Sequence, residues 1–403
     1  MTAHTDVLVV GAGPAGSATA FHLARQGHRV VLVDRARFPR DKPCSEYLSP
    51  EAVRLLDRMG VLADLERAGA QPLYGTTVFA PRGSAVTGRF ADARVRPFRE
   101  AGLSVARRIL DQRLMEAARD AGARVEEGAA VEELLHADGA IAGAVVRDRL
   151  GIARPIRARV TIGADGLRSV VARRMGRRRH GVPARLAFVA HVAGVPGLEG
   201  LAEMHVGDAG YVGLNRIAPG IANVALVIPR ERASAARGNA TRFFFSTLEE
   251  FPRVRGRVNP DGLVRRLLVT GPFAAWSGRV VADGAILVGD AADFFDPFTG
   301  EGIYSALRGA ELAAASVGTV LGEGGIVTAR RLAPYRAARR AAFLGKWAVE
   351  RLVGYGMLVP ALFDRAVARL DRRGLGHTFI GVTGDFVPAR AVLNPWFLSR
   401  MVL

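Results

Sequence analysis

The segment Gly11-Ala-Gly13-Pro-Ala-Gly16 constrains this chain more than any other. It follows an apolar run over residues 6–10 and opens a stretch over 15–26 that reads as a helix, with small residues first and Gly27 as its stop. A second apolar run covers 29–33. Strand, helix and strand within about 30 residues make a βαβ unit, which demands a parallel sheet and a right-handed crossover. Gly11 permits the tight turn, Gly13 lets the backbone approach a diphosphate, and Gly16 lets helix and strand pack closely. The helix tip offers free N–H groups and a partial positive charge. Asp34 ends the second strand, 18 residues past Gly16, where a carboxylate meets an adenosine ribose hydroxyl. The motif implies a dinucleotide but does not by itself choose between a flavin and a nicotinamide one.

Composition narrows the class. A chain of 403 residues, 49% hydrophobic and 23% charged, fits two or three closely joined globular domains. The net charge of +18 invites a nucleic-acid reading. Yet all but two of the 56 basic residues are arginines, scattered and without interleaved aromatics, which looks like codon bias. The expectation is no nucleic-acid partner; the surplus charge suits anionic cofactors or acidic lipid surfaces. Cys44 is the single cysteine, so no internal disulfide forms and a reducing cytoplasm is expected. No signal-peptide pattern is visible, and the longest apolar stretch, 352–363, falls short of the roughly twenty residues a membrane span needs. Peripheral membrane contact stays open. The eight histidines do not pair at ligand spacing, so no metal site is expected.

Further along, residues 50–59 and 110–120 read as helices, 73–86 as a small β excursion, and 125–146 as alternating strands around a turn at Asp138-Gly139. Four strand-like runs between 186 and 228 follow one another without an intervening helix, which argues an antiparallel sheet. Residues 280–288 read as a buried parallel strand, and a long Ala-rich helix starts near Gly302. The expected fold is mixed α/β: a Rossmann-type dinucleotide domain, an interleaved antiparallel-sheet substrate domain and a C-terminal helical region. The boundaries are 1–72, 101–180 and 279–330 for the first, 73–100 and 181–278 for the second, and 331–403 for the last.

Three later segments carry a resemblance. Gly163-Ala-Asp165-Gly166-Leu-Arg168-Ser169 resembles the "DG" motif of the para-hydroxybenzoate-hydroxylase-like flavoproteins. Leu287-Val-Gly289-Asp290 resembles their "GD" motif, with Asp296-Pro297-Phe-Thr-Gly300-Glu-Gly302-Ile303 behind it. Phe38-Pro-Arg-Asp-Lys-Pro-Cys44, Ser49-Pro50 and Gly384-Asp-Phe-Val-Pro388 are similar to the geranylgeranyl-reductase-like branch. The resemblance implies FAD, with NADH or NADPH as a transient electron donor. Its cofactor contacts would be Gly11, Gly13, Pro14, Ala15, Gly16, Asp34, Arg35, Arg107, Asp165, Gly166, Gly289, Asp290, Pro297, Gly300, Gly302 and Ile303, with Arg108 the neighbour that competes with Arg107. The branch places a cysteine near the flavin, here Cys44; Ser45-Glu46-Tyr47 departs from the glycines common there. Pro297, Cys44, Glu46 and Tyr47 are the catalytic candidates, and Tyr211 a candidate cavity wall. Arg173, Arg174, Arg177, Arg178 and Arg179 form the densest basic cluster, a solvated face or a landing site for a 2′-phosphate.

The function expected first is an FAD monooxygenase acting on an aromatic or polyketide-like molecule. The same fold alternatively reduces carbon–carbon double bonds of a prenyl or lipid substrate, and a reading of another class is a non-catalytic flavin-binding or basic binding protein. A small hydrophobic substrate is expected, on a monomer or homodimer.

Overall fold

The computed structural model describes residues 3–176 and 178–402; Arg177 of the basic cluster lies outside the described residues. Strand β1 (Ala3–Val10), helix α1 (Pro14–Arg25) and strand β2 (Val30–Asp34) form the first βαβ unit. Val7, Leu8, Val9 and Val10 are all buried, as a strand covered on both faces requires. Helix α2 (Arg107–Asp120) packs on α1, and strand β3 (Ala153–Gly163) runs parallel to β1 on the side away from β2. Among the described residues this sheet has eight strands, with Arg124–Glu127 beyond β2 and Ala285–Leu287 beyond β3. The run 280–288 is not one strand. Gly284, at φ +72°, turns Val281–Ala282 back on Ala285–Leu287, and only the latter joins the sheet in parallel.

A seven-stranded sheet forms the second layer. Its centre is the meander Leu201–Gly207, Gly210–Ala218 and Ile221–Pro229, with Arg185–Ala193 beside the last. The early excursion Gly75–Phe79 and Ala85–Arg89 extends it at one edge, and Leu268–Thr270 pairs with Arg185–Ala193 at the other. The expected antiparallel order holds except at one junction, where Gly75–Phe79 pairs in parallel with Leu201–Gly207. That pairing spans a long insertion, so no hairpin dictates its direction. One face of the sheet packs on Phe244, Phe245 and Leu248; the other faces the dinucleotide domain.

Helix α3 (Gly302–Gly322) returns to pack against α1. Helices α4 (Ala333–Gly356), α5 (Pro360–Arg372) and α6 (Gly376–Thr383) then fold over the junction of the two units. Among the described residues, no helix is long and apolar enough to cross a membrane and no cluster of metal ligands occurs.

Candidate active site

The glycine turn is built by contacts that exclude side chains. Gly11 has φ +99°, and a Cβ there would lie 2.6 Å from the Ala164 carbonyl oxygen. A Cβ on Gly16 would sit 1.7 Å from the Gly11 oxygen, so helix and turn meet backbone to backbone. Gly13 is different. Its side is open, and the nearest atoms to a Cβ placed there are Arg40 Nη2 at 3.7 Å and Arg107 Nη2 at 3.8 Å. The first turn of α1 carries no acidic residue and no side-chain cap. Asp34 steadies the turn, accepting from Ala12 N and Ala36 N at 2.7 Å each.

Positive charge collects around that opening. Arg107 starts α2 and is buried, whereas Arg108 is exposed, which settles which of the two faces the cavity. The Arg107 guanidinium is bidentate on Asp111, at 2.7 and 2.8 Å, and Arg40 reaches the same carboxylate at 2.9 Å. Lys42 Nζ lies 3.1 Å from where a Gly166 Cβ would be. Burial, with Arg107 and Arg40 nearby, pushes the Lys42 ammonium below its ordinary pKa, and Asp290 opposes that shift. Burial in turn pushes the Asp290 carboxyl up, against Lys42 and Arg107. Three cations thus share Asp111 and Asp290, around a helix tip and an open glycine. This donor set fits the diphosphate of a dinucleotide.

At the far end, Asp296 ties the Pro297–Gly302 turn down. It accepts from Phe298 N (3.0 Å), Tyr211 Oη (2.7 Å) and Arg185 Nη1 (2.6 Å). Burial and Asp296 raise the Tyr211 phenol well above its usual pKa, so it stays a donor. Gly300 has φ +74°, and a Cβ there would strike the Tyr47 ring at 2.6 Å. Tyr47 therefore lies flush on the turn from which α3 starts, its phenol raised by burial and by Asp385 and Glu301.

Behind this turn sits a buried ionic cluster. Lys346, on α4, contacts Glu301 Oε1 at 3.1 Å and also Asp385, while Thr299 Oγ1 donates to Glu301 at 2.9 Å. Glu350 stands one turn further along α4. Burial raises all three carboxyls, Asp385 to about 8, with Lys346 drawing each of them back down.

Between turn and sheet lies a cavity of about 1670 Å³ of atom-free space, part of it open to solvent. Its sheet wall is mostly small and apolar, including Val78, Ala187, Val189, Ala225 and Val227; Tyr47, Pro297 and Phe298 form the opposite wall. Cys44 lines it near the Arg107 guanidinium, its Sγ accepting from Glu46 N at 3.3 Å.

Residues 4–236 match the family described as FAD binding domain, more than half of the chain. The chain belongs to this FAD-binding family. A menaquinone reductase of Mycolicibacterium smegmatis is 33% identical over 78% of this chain and 76% of its own. Digeranylgeranylglycerophospholipid reductase 2 of Methanothermobacter thermautotrophicus is 30% identical over 91% of both. Among solved structures, a flavoprotein/dehydrogenase from Cytophaga hutchinsonii superposes with a TM-score of 0.83 at 19% identity, covering 99% of this chain and 96% of that one. The chondrochloren halogenase CndH gives 0.80 at 23%, over 88% and 83%. The protein is an FAD-dependent oxidoreductase of the para-hydroxybenzoate-hydroxylase-like superfamily, in its geranylgeranyl-reductase-like branch, and the non-catalytic reading falls away.

Of the residues singled out from sequence, Gly13, Pro14, Ala15, Arg107, Gly166, Asp290, Pro297, Gly300, Gly302 and Ile303 line the cavity, with Cys44, Tyr47 and Tyr211. Gly11, Gly16 and Asp34 build the turn behind it. Asp165 does likewise, capping the next helix through Ser169 and Val170, and Gly289 packs against Ala15. Two further candidates lie outside the cavity lining. Arg35 is exposed and outside the cavity. Glu46 is turned away at φ +57° and buried, accepting from Arg107 N (2.9 Å) and pairing with His191 Nε2 (2.7 Å), so its carboxylate caps α2 instead of facing the flavin turn. Sequence reasoning passed over Arg40, Lys42 and Lys346 as site residues. The signal was present: in a chain that uses arginine almost everywhere, the two lysines stand at the two ends of this site.

Proposed function

We propose that this flavoenzyme reduces a carbon–carbon double bond in a prenyl chain or a related isoprenoid lipid, with NADH or NADPH as the electron source. The monooxygenase expected first from sequence becomes the second reading. The carrying observation is the apolar cavity that sets the protonated Tyr47 phenol against the Pro297–Gly302 turn. Relatives named menaquinone reductase and digeranylgeranylglycerophospholipid reductase, at 30% identity or above, support reduction of an isoprenoid molecule over oxygen insertion. The halogenase structure is under 25% identical and speaks for the fold alone.

In this reading Gly13, Arg40, Lys42 and Arg107 hold the FAD diphosphate, Asp34 the adenosine ribose and Asp290 a ribityl hydroxyl. The tip of α3 would offer its partial positive charge to a bound flavin ring, worth roughly 1 kcal/mol. Bound FAD, once reduced, supplies the hydride. The chain does the rest: the sheet wall excludes water and aligns the alkene, and Tyr47 Oη gives the proton that completes the saturated product.

The test is anaerobic. Reduced holoenzyme is mixed with a geranylgeranyl lipid that carries no quinone or other reducible group besides its double bonds, and the product is weighed by mass spectrometry. A gain of two hydrogens without oxygen supports the reading. A gain of one oxygen atom, seen only in air, overturns it in favour of monooxygenation.

A further inference from the structure

The C-terminal helices carry an apolar stripe that the site does not use. On α4, Leu344, Leu352 and Tyr355 are exposed at helical spacing, on one side of the helix. The stripe runs into the α4–α5 corner, where Leu358 and Val359 are 56% and 51% exposed, and on to Leu362. Scattered exposed apolar residues are ordinary, but a contiguous stripe marks a surface that meets something.

Two observations say what. The first is charge. Arg351 and Arg365 are exposed beside the stripe, and neither pairs with a carboxylate among the described residues. Of the acids nearby, Glu350 faces the Lys346 cluster, and Asp364 is turned onto Ser84 Oγ and Arg82 N, so the two arginines stand as the outward-facing charges. An apolar stripe flanked by arginines complements a surface of acyl chains beneath anionic headgroups. The second is position. Val353 and Met357, on the inner side of the corner, share a core with Phe298, and Phe363 meets the Phe298 ring edge-on at 6.4 Å. Phe298 is itself a cavity wall. One layer of side chains separates the exposed corner from the cavity.

We infer that the α4–α5 corner docks this protein on the surface of an anionic lipid bilayer, with Leu358, Val359 and Leu362 inserted and Arg351 and Arg365 at the headgroups. This deepens the proposed function, since it brings the cavity wall to the phase in which an isoprenoid lipid is dissolved. It is read by binding alone, so it fails or stands apart from the double-bond chemistry.

The test uses FAD-loaded full chain and sedimentation with vesicles of equal phosphatidylglycerol and phosphatidylcholine, against phosphatidylcholine alone. The wild type should bind the anionic vesicles, more weakly in high salt. Leu358→Glu/Val359→Glu/Leu362→Glu should weaken binding by roughly tenfold or more while keeping the flavin spectrum. Arg351→Glu/Arg365→Glu, which leaves the apolar stripe intact, should weaken it by roughly tenfold and abolish the preference for anionic vesicles, and it decides the matter if the triple variant misfolds. Absence of wild-type binding, or undiminished binding by the arginine variant, overturns the inference. So does light scattering that shows a dimer dissociated by these changes while vesicle binding persists, which would make the corner an interface between copies.

Discussion

The chain's two lysines occupy opposite electrostatic worlds. Lys42 stands among cations, its ammonium pushed down by burial, Arg107 and Arg40. Lys346 stands among carboxyls, and Asp385 and Glu301 hold its ammonium up. One end of the site sets three cations against Asp111 and Asp290 and keeps positive charge in excess; the other is already neutralised from within. Cations gathered in excess of the carboxylates beside them are costly to keep out of water, so their persistence marks the place where a ligand brings the missing charge. Lys42 is on this account a binding residue, and Lys346 a structural one that holds the base of α3.

The largest effect should come from emptying the neutralised end. Lys346→Met leaves three buried carboxyls without their cation and should cost about 3–5 kcal/mol of folding stability at pH 8, read from chemical denaturation. The loss should shrink as pH falls, because the carboxyls can then take up protons. The wild type should show the same physics faintly. Asp385 has a folded pKa of about 8 against an ordinary 3.8, so the folded state binds the extra proton between those values. Stability is then greatest on the acid side of that window and declines as pH rises through about 8. Asp385→Asn should flatten that decline; an unchanged slope would assign it elsewhere.

Between the two ends, Tyr47→Phe should lower the rate of substrate reduction by roughly 10²–10⁴-fold, with FAD affinity unchanged, if its hydroxyl is the proton donor. Stopped-flow reoxidation of the reduced flavin by substrate measures this; an undiminished rate removes Tyr47 from the chemistry. Lys42→Met comes next. It should weaken FAD binding by roughly 10–100-fold, as loss of a charge-assisted contact does, while the apoprotein melts within about 0.5 kcal/mol of wild type. An apoprotein as damaged as Lys346→Met would erase the contrast between the lysines. Glu46→Gln should do least: about 1 kcal/mol of stability from the weakened α2 cap, with turnover preserved.

Legibility followed the range of the interactions. The first βαβ unit, its glycine turn and the start of α3 are local, and sequence spacing was enough to find them. Lys42 was missed because its meaning depends on Arg107 and Asp290, brought to it by the fold from 65 and 248 residues away. Glu46 was misplaced for the converse reason: adjacency to Cys44 and Tyr47 suggested a shared cavity, but His191, on the distant sheet, draws its carboxylate the other way. The Glu301–Lys346–Asp385 cluster joins three segments, none of which announces the others.

If the cation-rich end exists for a diphosphate, removing Lys42 should cost FAD and spare a flavin without one. Titrating apoprotein with FAD and with riboflavin, which lacks the diphosphate and adenosine, tests it most directly when wild type and Lys42→Met are compared. Wild type should strongly prefer FAD, and Lys42→Met should lose roughly tenfold or more of that preference while binding riboflavin as before. An equal loss for both ligands, or a preference left intact, would contradict it.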